Sequence, residues 1–102
     1  MDYQSRRWEK KRAKILRRDK YVCQLSKRYG KLRQANTVHH IFPVEYYPEY
    51  QWEDWNLISL CADEHNSLHD RDTHQLTAKG AALLARTARA HGIPLPPGGA
   101  RV

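Results

Sequence analysis

The chain predicts a small α+β domain with the element order α, β, β, α, α. Three observations carry that prediction. Its 102 residues suit one domain. Two short β-prone runs, 37–42 and 57–60, lie in its middle, and helix-like patterns flank them. With 40% hydrophobic and 28% charged residues, the composition is that of a globular chain rather than a disordered one.

The first helix is expected over 5–18, where Trp8, Ile15 and Leu16 fall at i, i+7 and i+8 and form one narrow core-facing stripe. A break follows from Asp19 to Gly30. Thr37-Val38-His39-His40-Ile41-Phe42 then reads as a strand stopped by Pro43. Residues 43–55 read as a loop, but Tyr46, Tyr47, Tyr50, Trp52 and Trp55 are too apolar to leave solvated, so it is expected to fold back on the body. Leu57-Ile58-Ser59-Leu60 is the second strand. From Ala62 to about Arg71, a first turn carrying Asp63 and Glu64 suits a helix N-terminus. The last helix is expected over about 78–90, with Thr77 as its N-cap and a stop near Gly92. Pro94, Pro96, Pro97, Gly98 and Gly99 forbid regular structure, so 94–102 is expected to be a flexible tail on a domain spanning 1–93. No stretch approaches the roughly 18 apolar residues a membrane span needs, and no apolar signal core opens the chain, so the expected location is cytoplasmic and away from membranes.

Charge is distributed unevenly. The net charge is +7, yet residues 1–33 hold thirteen Lys/Arg against Asp2, Glu9 and Asp19, a balance of +10, and residues 34–102 hold five against eight, or −3. A basic block on a small domain suits a polyanion partner, because neutralising phosphates releases counterions. It equally suits a solvated helix face. The aromatics among the basic residues, Tyr3, Trp8, Tyr21 and Tyr29, favour nucleic acid.

Histidine spacing supplies the chemistry. His65 and His69 are i and i+4, so on a helix both imidazoles leave one face a turn apart, as a shared metal ion requires. A surface helix with two unrelated polar residues has the same pattern. His39 and His40 are neighbours on a strand, so they point to opposite faces and cannot share one role. One can ligate a metal while the other stands free as a neutral base; a core-facing and an exposed histidine would look the same.

Taken together, Val38-His39-His40-Ile41-Phe42-Pro43, Asp54-Trp55-Asn56-Leu57 and Leu60-Cys61-Ala62-Asp63-Glu64-His65-Asn66-Ser67-Leu68-His69 resemble the His-Asn-His (HNH) endonuclease family. The resemblance covers roughly residues 6–75, because Trp8…Ile15-Leu16-Arg17-Arg18-Asp19…Tyr21-Val22-Cys23 is similar to the lead-in of the small phage and bacterial members. It implies a ββα-metal finger over about 37–71 between flanking helices. It implies His39, His65 and His69 as metal ligands, His40 as general base, and Asn56 as the central Asn that orients the base or the loop. It implies hydrolysis of DNA phosphodiester bonds, by nicking or double-strand cutting, with 5′-phosphate and 3′-hydroxyl products. Arg6, Arg7, Lys10, Lys11, Lys14, Arg17 and Arg18 are then the expected DNA-binding residues. Cutting both strands needs two active sites or two successive nicks, and a homodimer is the commonest solution.

The chain departs from that family at its cysteines. Many small members hold a structural zinc with two C-x-x-C pairs, but here Cys23 is followed by Ser26 and Cys61 by Glu64, so no four-cysteine zinc site is expected. Cys23 and Cys61 are then read as buried apolar fillers. A competing reading joins them to His65 and His69 in a Cys₂His₂ structural zinc site. For the active site, one divalent ion is expected. Three imidazoles favour Zn²⁺, Ni²⁺, Co²⁺ or Mn²⁺ over Mg²⁺, with zinc the first candidate as occupant, while Mg²⁺ or Mn²⁺ can support turnover when substrate phosphates complete the shell. The alternative to an enzyme is a zinc-stabilised DNA-binding module without chemistry.

Overall fold

The computed structural model describes residues 1–95. Its centre is a two-stranded antiparallel sheet of β1 (Thr37–His40) and β2 (Leu57–Leu60), paired Thr37 with Leu60 and His40 with Leu57. Helix α1 (Arg6–Arg18) covers one face of it, and α2 (Gln24–Arg28), α3 (Ala62–Asn66) and α4 (Ala78–Ala90) complete the fold. The α+β class and the order of the predicted elements therefore stand, with α2 added inside the segment read as a break.

Alternation along the strands divides the core in two. Val38 and Leu57 pack with Trp8, Ile15, Leu16 and Ala35 under α1. Leu60 packs on the other side with Cys23, Leu25, Phe42, Leu68, Leu76, Leu83 and Leu84.

Helix α1 starts where Ser5 accepts the Trp8 N–H at 3.2 Å, and the predicted stripe Trp8, Ile15 and Leu16 is its buried face. Its polar face is tied down as well. Lys11 and Lys14 grip Asp54 at 2.6 and 2.7 Å, and Arg18 donates to the carbonyls of Asp54 and Leu57 at 2.7 and 2.6 Å. Asp19, just past the helix, accepts both from Arg18 and from the Ser59 N–H. The two residues after it, Lys20 and Tyr21, are left-handed, at φ 56 and 59°.

The aromatic loop does fold back. Phe42 meets Tyr47, Tyr50 and Trp55 edge-on at 5.0 to 5.8 Å, two 3-10 turns (Pro48–Tyr50 and Asp54–Asn56) compact the chain, and Trp52 joins the cluster under α1.

The helix expected from Ala62 to Arg71 is a single turn that ends at Asn66. Past Asn66 the Ser67 N–H is shared between the carbonyls of Asp63 and Glu64 at 3.1 and 3.2 Å, and the Leu68 N–H reaches back only three residues, to His65 at 3.1 Å, so the last turn tightens and the helix stops. Thr77 then ties down the next two carbonyls, its hydroxyl on Ser67 at 2.7 Å and its N–H on Leu68 at 2.9 Å. Ser67 also turns its own hydroxyl onto the Glu64 carbonyl at 2.6 Å. The chain leaves instead through an antiparallel bridge between His69 and Leu76. Thr77 is at the same time the N-cap of α4, accepting from Gly80 N–H. Gly80 must be glycine here, since a Cβ would lie 2.5 Å from the Leu68 carbonyl oxygen. Ile93 and Leu95 pack against the core beyond α4, while the rest of the expected tail, 96–102, lies outside the described residues. No helix among the described residues is long and apolar enough to cross a membrane.

Candidate active site

The pleat of β1 sends His39 to the α3 side of the sheet and His40 to the α1 side, yet both line one cleft at the strand end. Tyr3, Glu45, His65, His69 and His74 share it.

On the α3 side, His39, His65 and His69 bring a ligand atom each within 4.8 Å of the others. Their ring centroids are 5.1 to 5.6 Å apart. Strand β1 supplies the buried member and α3 the second. His69 is not on the helix, contrary to the i, i+4 argument; the His69–Leu76 bridge aims it. Its Nδ1 donates to the His74 carbonyl at 3.3 Å, which leaves the Nε2 lone pair facing Nδ1 of His39 at 3.4 Å. Nε2 of His39 is buried with no hydrogen-bond partner.

Burial, then the neighbouring His69, His65 and His40, push the His39 imidazole well below its usual range. Burial followed by His69 lowers His65. Both rings are thereby kept neutral, with lone pairs available. Three imidazoles that each bring a ring nitrogen within 4.8 Å of the others fit a divalent transition-metal ion.

On the α1 side, His40 stacks on Trp8 at 5.2 Å and 21°, with Tyr3 edge-on at 6.2 Å. Its Nε2 lies 3.0 Å from the Gln51 carbonyl oxygen. A carbonyl only accepts, so Nε2 carries the proton and Nδ1 of the neutral ring holds the lone pair. Burial lowers the His40 pKa, against the Gln51 bond that raises it, so the ring is a free base at neutral pH.

Asn56 does not reach the cleft. Fully buried, it accepts the Phe42 N–H at 2.7 Å and donates to the carbonyls of Phe42 and Tyr50 at 3.2 and 3.1 Å. It pins the loop at Phe42 and at Tyr50, the residue before Gln51, whose carbonyl meets His40.

The seven basic residues expected at DNA divide into three groups. Lys11, Lys14 and Arg18 are engaged in holding α1 to the finger. Arg7 lies over the Trp52 ring at 3.8 Å. Arg6, Lys10 and Arg17 are exposed and pair with no carboxylate among the described residues. Asp54, the acid that takes the two lysines, gave no sign of this pairing in the sequence because it lies 43 and 40 residues away.

Among the described residues, the cluster that could hold a metal ion includes neither Cys23 nor Cys61. Cys23 is fully buried, as expected, but Cys61 is only half-buried and sits 3.8 Å from the Ser26 hydroxyl. Burial pushes the Cys61 thiol up, but the Glu64 N–H, Cys23, Ser26 and Arg33 together bring it below the usual range. Glu64 is taken by Lys79 at 2.6 Å. The Cys₂His₂ reading fails because both of its histidines turn to His39 instead.

The fold and site thus combine a two-stranded finger, a cluster of three histidines that could hold a metal ion, and a fourth histidine on the other face of the same strand. No family model matches the chain, and no curated protein matches it. Among solved structures it is similar to the HNH endonuclease of the deep-sea thermophilic bacteriophage GVE2, determined with manganese ion, at 38% identity and TM-score 0.61 over 63% of this chain and 70% of that one. The chain belongs to the HNH endonuclease family.

Proposed function

We propose that this protein is a metal-dependent endonuclease that hydrolyses DNA phosphodiester bonds. The observation that carries the reading is the placement of His40, a neutral base with a defined tautomer, on the cleft where His39, His65 and His69 converge. In this reading Nδ1 of His40 takes a proton from water, and the hydroxide attacks phosphorus in line with the departing 3′ oxygen. The products are 5′-phosphate and 3′-hydroxyl ends. Trp8 and the Gln51 carbonyl hold the imidazole still, and Asn56 holds the Tyr50 carbonyl one residue before Gln51.

His39, His65 and His69 are the proposed metal ligands. A divalent ion bound there would stabilise charge on the phosphate and on the leaving oxygen. The all-imidazole set suits Zn²⁺ and Mn²⁺ alike, and the related phage enzyme was determined with manganese. Arg6, Arg7, Lys10 and Arg17 of α1 supply phosphate contacts, and the DNA is met from that side.

Plasmid cleavage tests the proposal. Wild-type protein with Mn²⁺, Zn²⁺ or Mg²⁺ should nick or linearise supercoiled DNA, and EDTA should stop it. His40→Ala should fold and lose about 10²–10⁴-fold in rate, the usual share of a general base. DNA binding without cleavage by folded, metal-loaded wild type would support the non-catalytic binding module instead.

A further inference from the structure

The cleft continues past the histidine triad. A second hollow adjoins it, with His65, His69 and His74 lining both, and Asn66, Asp70 and Arg71 completing the second wall. His40 lines the first hollow and not the second. The far wall belongs to a tight loop between His69 and Leu76.

That loop is rigid by its own bonding. The Asp70 carboxylate accepts the N–H groups of Asp72 and Thr73, both at 2.9 Å. Asp70 N–H donates to the Gln75 carbonyl at 2.7 Å, and His74 N–H donates back to Asp70 at 2.9 Å. His74 itself is left-handed, at φ 62°, a conformation that costs a non-glycine residue energy and persists only where its surroundings enforce it. Here its N–H is tied to Asp70 and its carbonyl to His69. The loop is therefore coupled directly to a metal-ligand histidine.

Its charge also stands out. Residues 34–102 carry a balance of −3. Within that acidic body, Lys79 is neutralised by Glu64, whereas Arg71 is exposed and, among the described residues, pairs with no carboxylate and is the only Lys or Arg lining either hollow.

The geometry points to Arg71, with His74 beside it, as the group that holds the DNA phosphate one step 5′ of the phosphate being cleaved. This assignment rests on the nuclease reading above. If His40 delivers water from its side of the scissile phosphate, in-line displacement sends the 3′ oxygen away from His40. The strand carrying that oxygen then runs into the second hollow, where its next phosphate meets a guanidinium able to bind it through two N–H groups. Phosphate contacts of this kind fix the register of the strand and read no bases.

Two readouts test it. The first needs no metal: affinity for a short duplex in EDTA, measured by fluorescence anisotropy across KCl concentrations. Arg71→Ala should flatten the slope of log K against log[salt] by about 0.9, the value for one neutralised phosphate, and Arg71→Lys should restore it. The second uses a duplex with a mapped cut and one neutral methylphosphonate placed one step 5′ of it. Wild type should lose at least fivefold in kcat/KM from that replacement, while Arg71→Ala, already slower on the natural duplex through KM, should lose less than twofold more. His74→Asn, which tolerates the left-handed turn, should show a smaller loss of the same kind. Wild-type salt dependence in Arg71→Ala, or equal sensitivity of both proteins to the methylphosphonate, would overturn the assignment while leaving the nuclease reading intact. Failure of wild type to cut any duplex would sink the nuclease reading itself, and the 5′ assignment with it.

Discussion

The two faces of the small sheet differ in how they hold their histidines. On the α1 face, His40 is positioned by packing: Trp8 beneath it, and a loop carbonyl, that of Gln51, beside the Tyr50 that the buried Asn56 amide holds. On the α3 face, His65 is carried by the single turn of α3, while His69 is positioned by backbone bonding beyond it: Thr77 ties the Ser67 and Leu68 carbonyls, and the His69–Leu76 bridge turns His69 toward His39. The pleat of one strand thus separates two histidine environments by a single residue, which the proposed function uses for proton transfer and for metal binding. Substitutions behind one face should damage its function and spare the other.

Asn56→Ala should have the largest effect on stability. It strands the Phe42 N–H and two carbonyls in a buried loop, at a cost of about 2–4 kcal/mol. Cleavage should fall more than metal affinity does, because Gln51 and His40 move while the triad stays. Chemical denaturation together with metal titration checks both halves.

Gly80→Ala is the mirror experiment. A Cβ 2.5 Å from the Leu68 carbonyl must push α4 off the segment that carries His69, costing about 1–3 kcal/mol. Metal affinity should drop here, with the His40 environment unchanged by NMR.

A third contrast lies along α1. Lys11→Ala and Lys14→Ala should each cost under about 1 kcal/mol of stability, since Asp54 is 41% exposed. Arg6→Ala and Lys10→Ala should leave the melting temperature in place and flatten the salt dependence of DNA binding by about 0.9 for each phosphate no longer neutralised.

The smallest effect is one of pH. Lys11 and Lys14 lower the Asp54 carboxyl to about 2 from an ordinary 3.8. A carboxylate whose folded pKa is depressed stabilises the fold fully above its unfolded pKa, and that contribution disappears as pH falls through the folded value. Wild type should therefore lose a fraction of a kcal/mol between pH 3.8 and 2 that Asp54→Asn does not. Acid titration followed by circular dichroism measures the difference.

What could be read from the residues was what local spacing encodes. The period of two in Val38-His39-His40 placed the two histidines on opposite faces, and the stripe Trp8, Ile15, Leu16 marked the buried face of α1. Distant partners set the rest. The path of the chain after α3 depends on Thr77, ten residues beyond Ser67. The engagement of Lys11 and Lys14 on α1 depends on Asp54, from the aromatic loop. Helix α2 is five residues long and is framed by a long-range bond from Cys23 N–H to Arg33, so no periodicity announced it. For Arg71 and His74 the one available local signal is the Asp70-Arg71-Asp72-Thr73 turn composition, which the helix reading to Arg71 passed over.

The division of labour across the sheet is tested most directly by metal-binding isotherms for wild type, His40→Ala and His65→Ala, run beside plasmid cleavage on the same preparations. His40→Ala should bind one divalent ion within about threefold of wild-type affinity and cut at least about 10²-fold more slowly. His65→Ala should lose the ion and the cleavage together. Loss of the metal in His40→Ala, or wild-type metal binding in His65→Ala, would contradict it.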